Sequence, residues 1–147
     1  MIARDKGFTL LEFIFTIGLS LIVLAAGYGA YFNFSRADDV ERSRELVTIA
    51  AHGAMSRIKE DVRSANMVAA FGNAMALNTS ESRISYENLP NGAGISRMTR
   101  HSRSLFKGAT ASFVQRGKGV NVSVKASAKV HGRAIGVDLN SFVMPRN

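Results

Sequence analysis

The sequence predicts an α+β protein: one long N-terminal helix, then a small antiparallel sheet of four or five strands packed on the helix's C-terminal half. Three observations predict it. Residues 8–34 form an apolar run that holds one charge, Glu12. Residues 47–65 place apolar side chains at helical spacing. Beyond residue 80 the chain breaks into short alternating stretches separated by glycine-bearing turns.

The first element is set by its length. As a helix, residues 8–34 would reach ~40 Å, against the ~30 Å of hydrocarbon in a bilayer. A secretory signal needs an apolar region of only ~7–15 residues, so this run is too long for one. Arg4 and Lys6 precede it, which favours a cytoplasmic N-terminus and an exported remainder. Gly18, Gly27 and Gly29 interrupt it, and the last two suit either close packing between helices or a flexible joint. Glu12 is the anomaly. A charge at mid-bilayer costs ~2.5–3.5 kcal/mol on insertion scales, and such residues are functional unless they sit near enough to the interface to stay hydrated.

The helix is expected to continue from Phe8 to about Met67. Val47, Ala51, Met55, Ile58, Val62 and Ala65 recur at steps of three and four and define one face, while Arg42, Arg44, Glu45, Lys59, Glu60 and Arg63 fall largely elsewhere. Arg57 and Asp61, four apart, are placed to pair weakly. A shallow break near residues 35–39 is compatible with the polarity that begins there. Gly72-Asn73 marks the expected helix end, and residues 78–82 read as loop.

Strands follow. Residues 83–86 alternate, residues 89–94 look like a turn, and residues 94–98 read as a second strand. Residues 111–114 precede Gln115-Arg116-Gly117-Lys118-Gly119, a hairpin loop. Val120, Val122 and Val124 then share one strand face, as do Ile135, Val137 and Leu139. Residues 129–133 read as an exposed loop around Gly132.

Chemistry is excluded more readily than assigned. There is no cysteine, hence no disulfide framework and no thiolate metal site. His52, His101 and His131 lie far apart, with no metal-ligand spacing. No glycine-rich phosphate loop and no nucleophile elbow occurs; Gly117 and Gly119 are turn signals. The expectation is a protein that is not an enzyme and needs no cofactor. Formal net charge is +8, compatible with nucleic acid, an anionic membrane surface or scattered surface charge. The densest basic stretch holds Arg97, Arg100, Arg103 and Lys107, with His101 and Phe106 interleaved. Those four are candidate DNA or anion contacts, or a strand edge kept basic against aggregation.

Lys6-Gly7-Phe8-Thr9-Leu10-Leu11-Glu12, followed directly by the apolar helix, closely resembles the processing site of type IV prepilins and pseudopilins. The resemblance implies a type IV pilin fold and removal of residues 1–7 by a prepilin peptidase. Cleavage would fall between Gly7 and Phe8, with N-methylation of Phe8. Residues 8–34 become a transmembrane and assembly helix. Residues 35–147, with the amphipathic second half of the helix, become a periplasmic or extracellular head. It also implies that Glu12 meets the terminal amine of a neighbouring subunit, a pairing suited to setting register. The absence of proline from the apolar run leans toward a minor pilin or pseudopilin.

Residues 55–65 further resemble the corresponding helix of J-type pseudopilins and W-type minor pilins, as do the strand order after it and the Pro145-Arg146-Asn147 ending. The implied role is a structural subunit that initiates or joins a type IV pilus or type II secretion-like filament, in its tip complex. The alternatives are a major filament pilin and a membrane-anchored DNA- or surface-binding module. The implied partners are the prepilin peptidase, other pilins or pseudopilins met through the N-terminal helix, and the inner membrane.

Overall fold

The structure, a computed structural model, describes residues 9–146. The chain divides into two compact units, Met1–Asp39 and Val40–Asn147. One helix, α1 (Leu10–Ser64), supplies residues to both. It stays helical through residues 35–39, without the break that the onset of polarity there allowed.

In the first unit every described side chain is exposed. Its helix opens on Thr9, whose Oγ1 accepts the Glu12 N–H at 3.3 Å, the side-chain half of a capping box that also places an acid at the positive end of the helix dipole. The helix is long and apolar enough, by length and composition, to cross a membrane. Residues 10–39 alone would rise about 45 Å.

The second unit is α+β. Its helical part buries Val47, Ala51, Ala54, Met55, Ile58, Asp61 and Val62, so the face read from periodicity is the face that packs. The helix ends at Ser64, before the Met67 that periodicity allowed it. Met67 instead opens a strand, and Gly72-Asn73, read as the helix end, is the turn of the first hairpin. Local pattern cannot separate the two outcomes, because residues 67–71 are apolar enough to suit either.

Among the described residues eight strands form two sheets rather than one. The first is a five-stranded antiparallel meander of β1 (Met67–Phe71), β2 (Ala74–Asn78), β3 (Arg83–Asn88), β4 (Gly94–Met98) and β5 (Arg103–Lys107). The second holds β6 (Ala109–Arg116), β7 (Gly119–Val130) and β8 (Arg133–Val143). The segment read as an exposed loop at residues 129–133 is a two-residue turn, His131-Gly132, flanked by the pair Val130↔Arg133. Both turn residues have positive φ, 47° and 78°, the twist a two-residue hairpin requires.

The two sheets join along β1 and β6. Phe113 N donates to Gly72 O at 2.7 Å. Two carboxamides extend the contact by imitating a strand's peptide groups. Gln115 Oε1 accepts the Ala70 N–H at 3.0 Å and its Nε2 donates to Val68 O at 3.1 Å. Asn88 Oδ1 accepts the Ala111 N–H at 2.9 Å, and its Nδ2 donates to Ala111 O at 2.6 Å. The core between helix and sheets is one apolar cluster that includes Ile58, Val62, Leu77, Ile84, Ile95, Phe113, Val120, Val122 and Val124. Each such side chain, fully buried, contributes ~1.5–3 kcal/mol. The chain's end is tied to the helix by Arg146 N donating to Arg63 O at 3.0 Å.

Candidate functional site

Glu12 belongs to the first turn of α1. Thr9, Glu12, Thr16 and Ser20 follow at steps of three, four and four, so they share one helix face. Two of the three hydroxyls on that face donate to the preceding turn: Thr16 Oγ1 donates to Glu12 O at 2.7 Å and Ser20 Oγ donates to Thr16 O at 2.8 Å. This bonding to the preceding turn makes the hydroxyls tolerable in an apolar medium, where an unsatisfied one is costly. The Glu12 carboxylate, by contrast, has no ion-pair partner among the described residues. The proposed cleavage point between Gly7 and Phe8 lies outside the described residues.

The polar stripe was not read from the sequence as a stripe. Its members were visible one by one, and a spacing test applied to polar rather than apolar residues would have joined them. Bulky apolar side chains, among them Leu10, Phe13, Ile14, Ile17 and Leu21, surround the stripe and are all exposed.

The second polar cluster is in the other unit. Arg97 on β4, read as one of four surface cations, is buried with 10% of its side chain exposed. Its Nε donates to Asp61 Oδ2 at 2.6 Å and its Nη2 to Asp61 Oδ1 at 3.1 Å. Tyr86 on β3 donates its hydroxyl to the same Oδ2 at 2.5 Å. Arg97 therefore leaves the group of candidate anion contacts, because its charge is already matched by a carboxylate inside the fold. The weak Arg57–Asp61 pair expected from the spacing is present, with Arg57 Nε 3.7 Å from Asp61 Oδ1, while Arg57 Nη1 takes Glu60 Oε2 at 2.8 Å. The short bonds of Asp61 go to Arg97 and Tyr86.

Burial, and then the bond to Asp61, push the Tyr86 phenol far above its ordinary range. The hydrogen bonds to Asp61 raise Arg97, against the opposing effect of burial. The phenol is thus held as a neutral donor and the guanidinium as a cation, the two states a buried carboxylate needs in order to be satisfied. Among the described residues no buried side-chain nitrogen or oxygen lacks a hydrogen-bond partner.

The remaining cations of the basic stretch stay at the surface. Arg100, Arg103 and Lys107 are exposed, and Arg103 Nε donates to Ser96 Oγ at 3.0 Å. Strand alternation puts Arg103 and Lys107 on the sheet face turned from the core, together with Arg83 and the acid Glu87. Among the described residues no group of three His, Cys, Asp or Glu side chains is placed to hold a metal ion.

Comparison with protein-family models, with curated proteins and with solved structures gives no match for this chain.

Proposed function

We propose that the chain is a minor pilin or pseudopilin: a structural subunit held in the inner membrane by its N-terminal helix, processed between Gly7 and Phe8, and added to a type IV pilus or type II secretion-like filament, in its tip complex. The observation that carries the reading is the run Lys6-Gly7-Phe8-Thr9-Leu10-Leu11-Glu12 at the head of an apolar helical stretch whose described residues, up to 34, are all exposed. That helix needs a covering of lipid or of other helices. A separate α+β unit beyond it, in the pilin manner, supports the same reading. The head then lies in the periplasm before assembly and at the cell surface after it.

Glu12 is central to the assembly step. Removing residues 1–7 creates an amine at Phe8, cationic at neutral pH because such groups titrate near ~8. A carboxylate of an adjoining subunit neutralises it as both leave contact with water. Glu12 also occupies the position of its own helix from which either glutamate or glutamine can complete a capping box with Thr9. The Glu12→Gln variant therefore separates the two roles.

The deciding experiment is co-expression with a prepilin peptidase and mass spectrometry of the product. The expected chain begins at N-methylated Phe8. A chain that keeps Met1 in cells with an active peptidase defeats the proposal.

A further inference from the structure

We propose that the free edge of β8 is a docking site for an extended segment of another protein, held antiparallel as an added strand, with basic side chains on its solvent face and apolar ones on its core face. The edge belongs to the fold of the second unit and does not depend on how the N-terminus is processed.

Among the described residues the outer edges of β5 and β8 take up no further strand. The two edges differ. β5 is guarded in the ways that keep sheet edges from pairing: it is short and carries Arg103 and Lys107. β8 has 11 residues, no proline and no lysine. Its charges are Arg133, at the first position, and Asp138. Its register with β7 runs unbroken from Val130↔Arg133 to Val120↔Val143, so no bulge turns the edge away.

Which peptide groups face outward follows from the bonds on the other side. Val130 and Arg133 flank a two-residue turn and form its closing hydrogen-bonded pair. Ser127, opposite Gly136, sends its N–H to Gly108 O at 3.3 Å, away from β8. Bonded and unbonded pairs alternate along an antiparallel ladder. The N–H and C=O groups of Ala134, Gly136, Asp138, Asn140 and Phe142 therefore point outward from the edge. They recur every ~6.8 Å, the repeat of another extended backbone rather than of a sugar, a lipid or a helix. Main-chain bonds of this kind hold a strand added to a sheet edge, and the alternate side chains select it.

Side chains set what that backbone should carry. The same five residues turn their side chains to solvent, while Ile135, Val137 and Leu139 are half-buried on the core side. Val137 and Leu139 pack against the core cluster. An added strand with apolar residues beside them extends the cover of that core, as cross-strand pairs do within a sheet. On the solvent side the edge offers an acid, Asp138, and a ring, Phe142. Asp138 has Lys125 at 3.3 Å, with both side chains largely exposed, so a second cation finds it open. The Phe142 ring lies over Gly119, which has no side chain to displace it, and is half-exposed. A cation over such a ring is attracted to it.

The chain itself contains a stretch of this pattern, Arg103-Ser104-Leu105-Phe106-Lys107. A peptide of that sequence, laid antiparallel on β8, sets its lysine against Asp138, its phenylalanine beside Leu139 and its arginine against Phe142. A shift of two residues either way loses both charged contacts.

The test follows backbone amide exchange in the full-length chain in detergent micelles, with a synthetic peptide copying residues 101–109 as the probe. Exchange in the chain alone should alternate along β8, fast at Gly136, Asp138 and Asn140 and slow at Ile135, Val137 and Leu139. Excess peptide should slow the fast set at least about tenfold and leave the slow set unchanged. The same peptide with proline in place of Leu105 lacks a donor to the added ladder and should give no protection. Asn140→Lys guards the edge and should abolish protection, whereas Asn140→Gln should keep it. The slow set reports that both variants are folded.

Slow exchange at Gly136, Asp138 and Asn140 in the chain alone overturns the proposal, and its loss on dilution would name a second copy as the occupant. Equal protection by the proline peptide, protection centred on β5, or no protection by the parent peptide overturns it as well. A chain that keeps Met1 defeats the assembly reading and leaves these outcomes unchanged.

Discussion

Arg97 holds Asp61 through two parallel hydrogen bonds, Nε to Oδ2 at 2.6 Å and Nη2 to Oδ1 at 3.1 Å, so the fourth strand grips the helix near its C-terminal end. Both groups lie inside the fold, with 10% and 6% of their side chains exposed. The pair sets which residue of the sheet stands opposite which turn of the helix, a task for which a directional bond serves better than apolar contact.

Breaking that pair from one side leaves a buried, unmatched charge. Arg97→Met and Asp61→Leu should each destabilise the second unit by ~3–5 kcal/mol. The double change removes both charges and should cost less than either alone. Urea unfolding of the full-length chain in detergent, as a double-mutant cycle, measures the coupling. Additive losses would mean that the two side chains act independently.

Tyr86 makes stability fall in alkali. Its phenol is raised above the ordinary 10.0 in the folded chain. Below pH ~10 both states carry the proton and the contribution is whole. Above it the unfolded chain gives up a proton that the folded chain keeps, so each further pH unit costs up to ~1.4 kcal/mol. Unfolding measured from pH 8 to 11 should show this slope in the parent chain and a shallower one in Tyr86→Phe. Equal slopes would remove Tyr86 as the source.

Gly94 has no room for a side chain. Its φ is +155°, and a Cβ would meet Phe106 O at 2.6 Å. That oxygen belongs to the paired strand β5, so it cannot withdraw without opening the ladder. Gly94→Ala should destabilise by ~1–3 kcal/mol, with loss of the β4–β5 pairing visible as faster amide exchange at Phe106. A neutral outcome would show that β5 can shift sideways at little cost.

The carboxamide links between the sheets predict an asymmetry between isosteres. Asn88 both donates to and accepts from Ala111. Asn88→Asp keeps shape but loses the donor and turns a carboxylate oxygen toward the Ala111 carbonyl. It should cost at least as much as Asn88→Ala, each ~1–3 kcal/mol. Thermal unfolding of the two variants checks the order. A harmless Asn88→Asp would show that water replaces the lost donor.

On the proposed function, assembly is expected to depend on the charge at position 12 and not on its capping. Glu12→Gln should insert into the membrane and form α1 normally, yet fall out of the assembled fraction as Glu12→Ala does. Membrane fractionation followed by recovery of sheared filaments reads both steps. Assembly by Glu12→Gln at the parent level would reduce Glu12 to a helix cap.

By itself the sequence determined what depends on neighbours along the chain. The apolar run, its one acid, the residues that face the core from Val47 to Ala65, and the strands around Val120–Val124 and Ile135–Leu139 follow from spacing. Side-chain direction repeats with the local backbone period, so these could be read directly. The processing-site resemblance is equally local.

The tertiary structure alone decided what depends on distant partners. Asp61 and Arg97 are 36 residues apart, and each had a nearer surface role to suggest itself. The clue was faint: Asp61 sits on the same helix stripe as Ile58 and Val62, an acid where periodicity calls for an apolar residue. The change from one sheet to two was hidden for a like reason. It rests on which strand edge meets which, through Gly72, Asn88 and Gln115. Those bonds cost loop closure to form and are repaid only once the core has gathered around them.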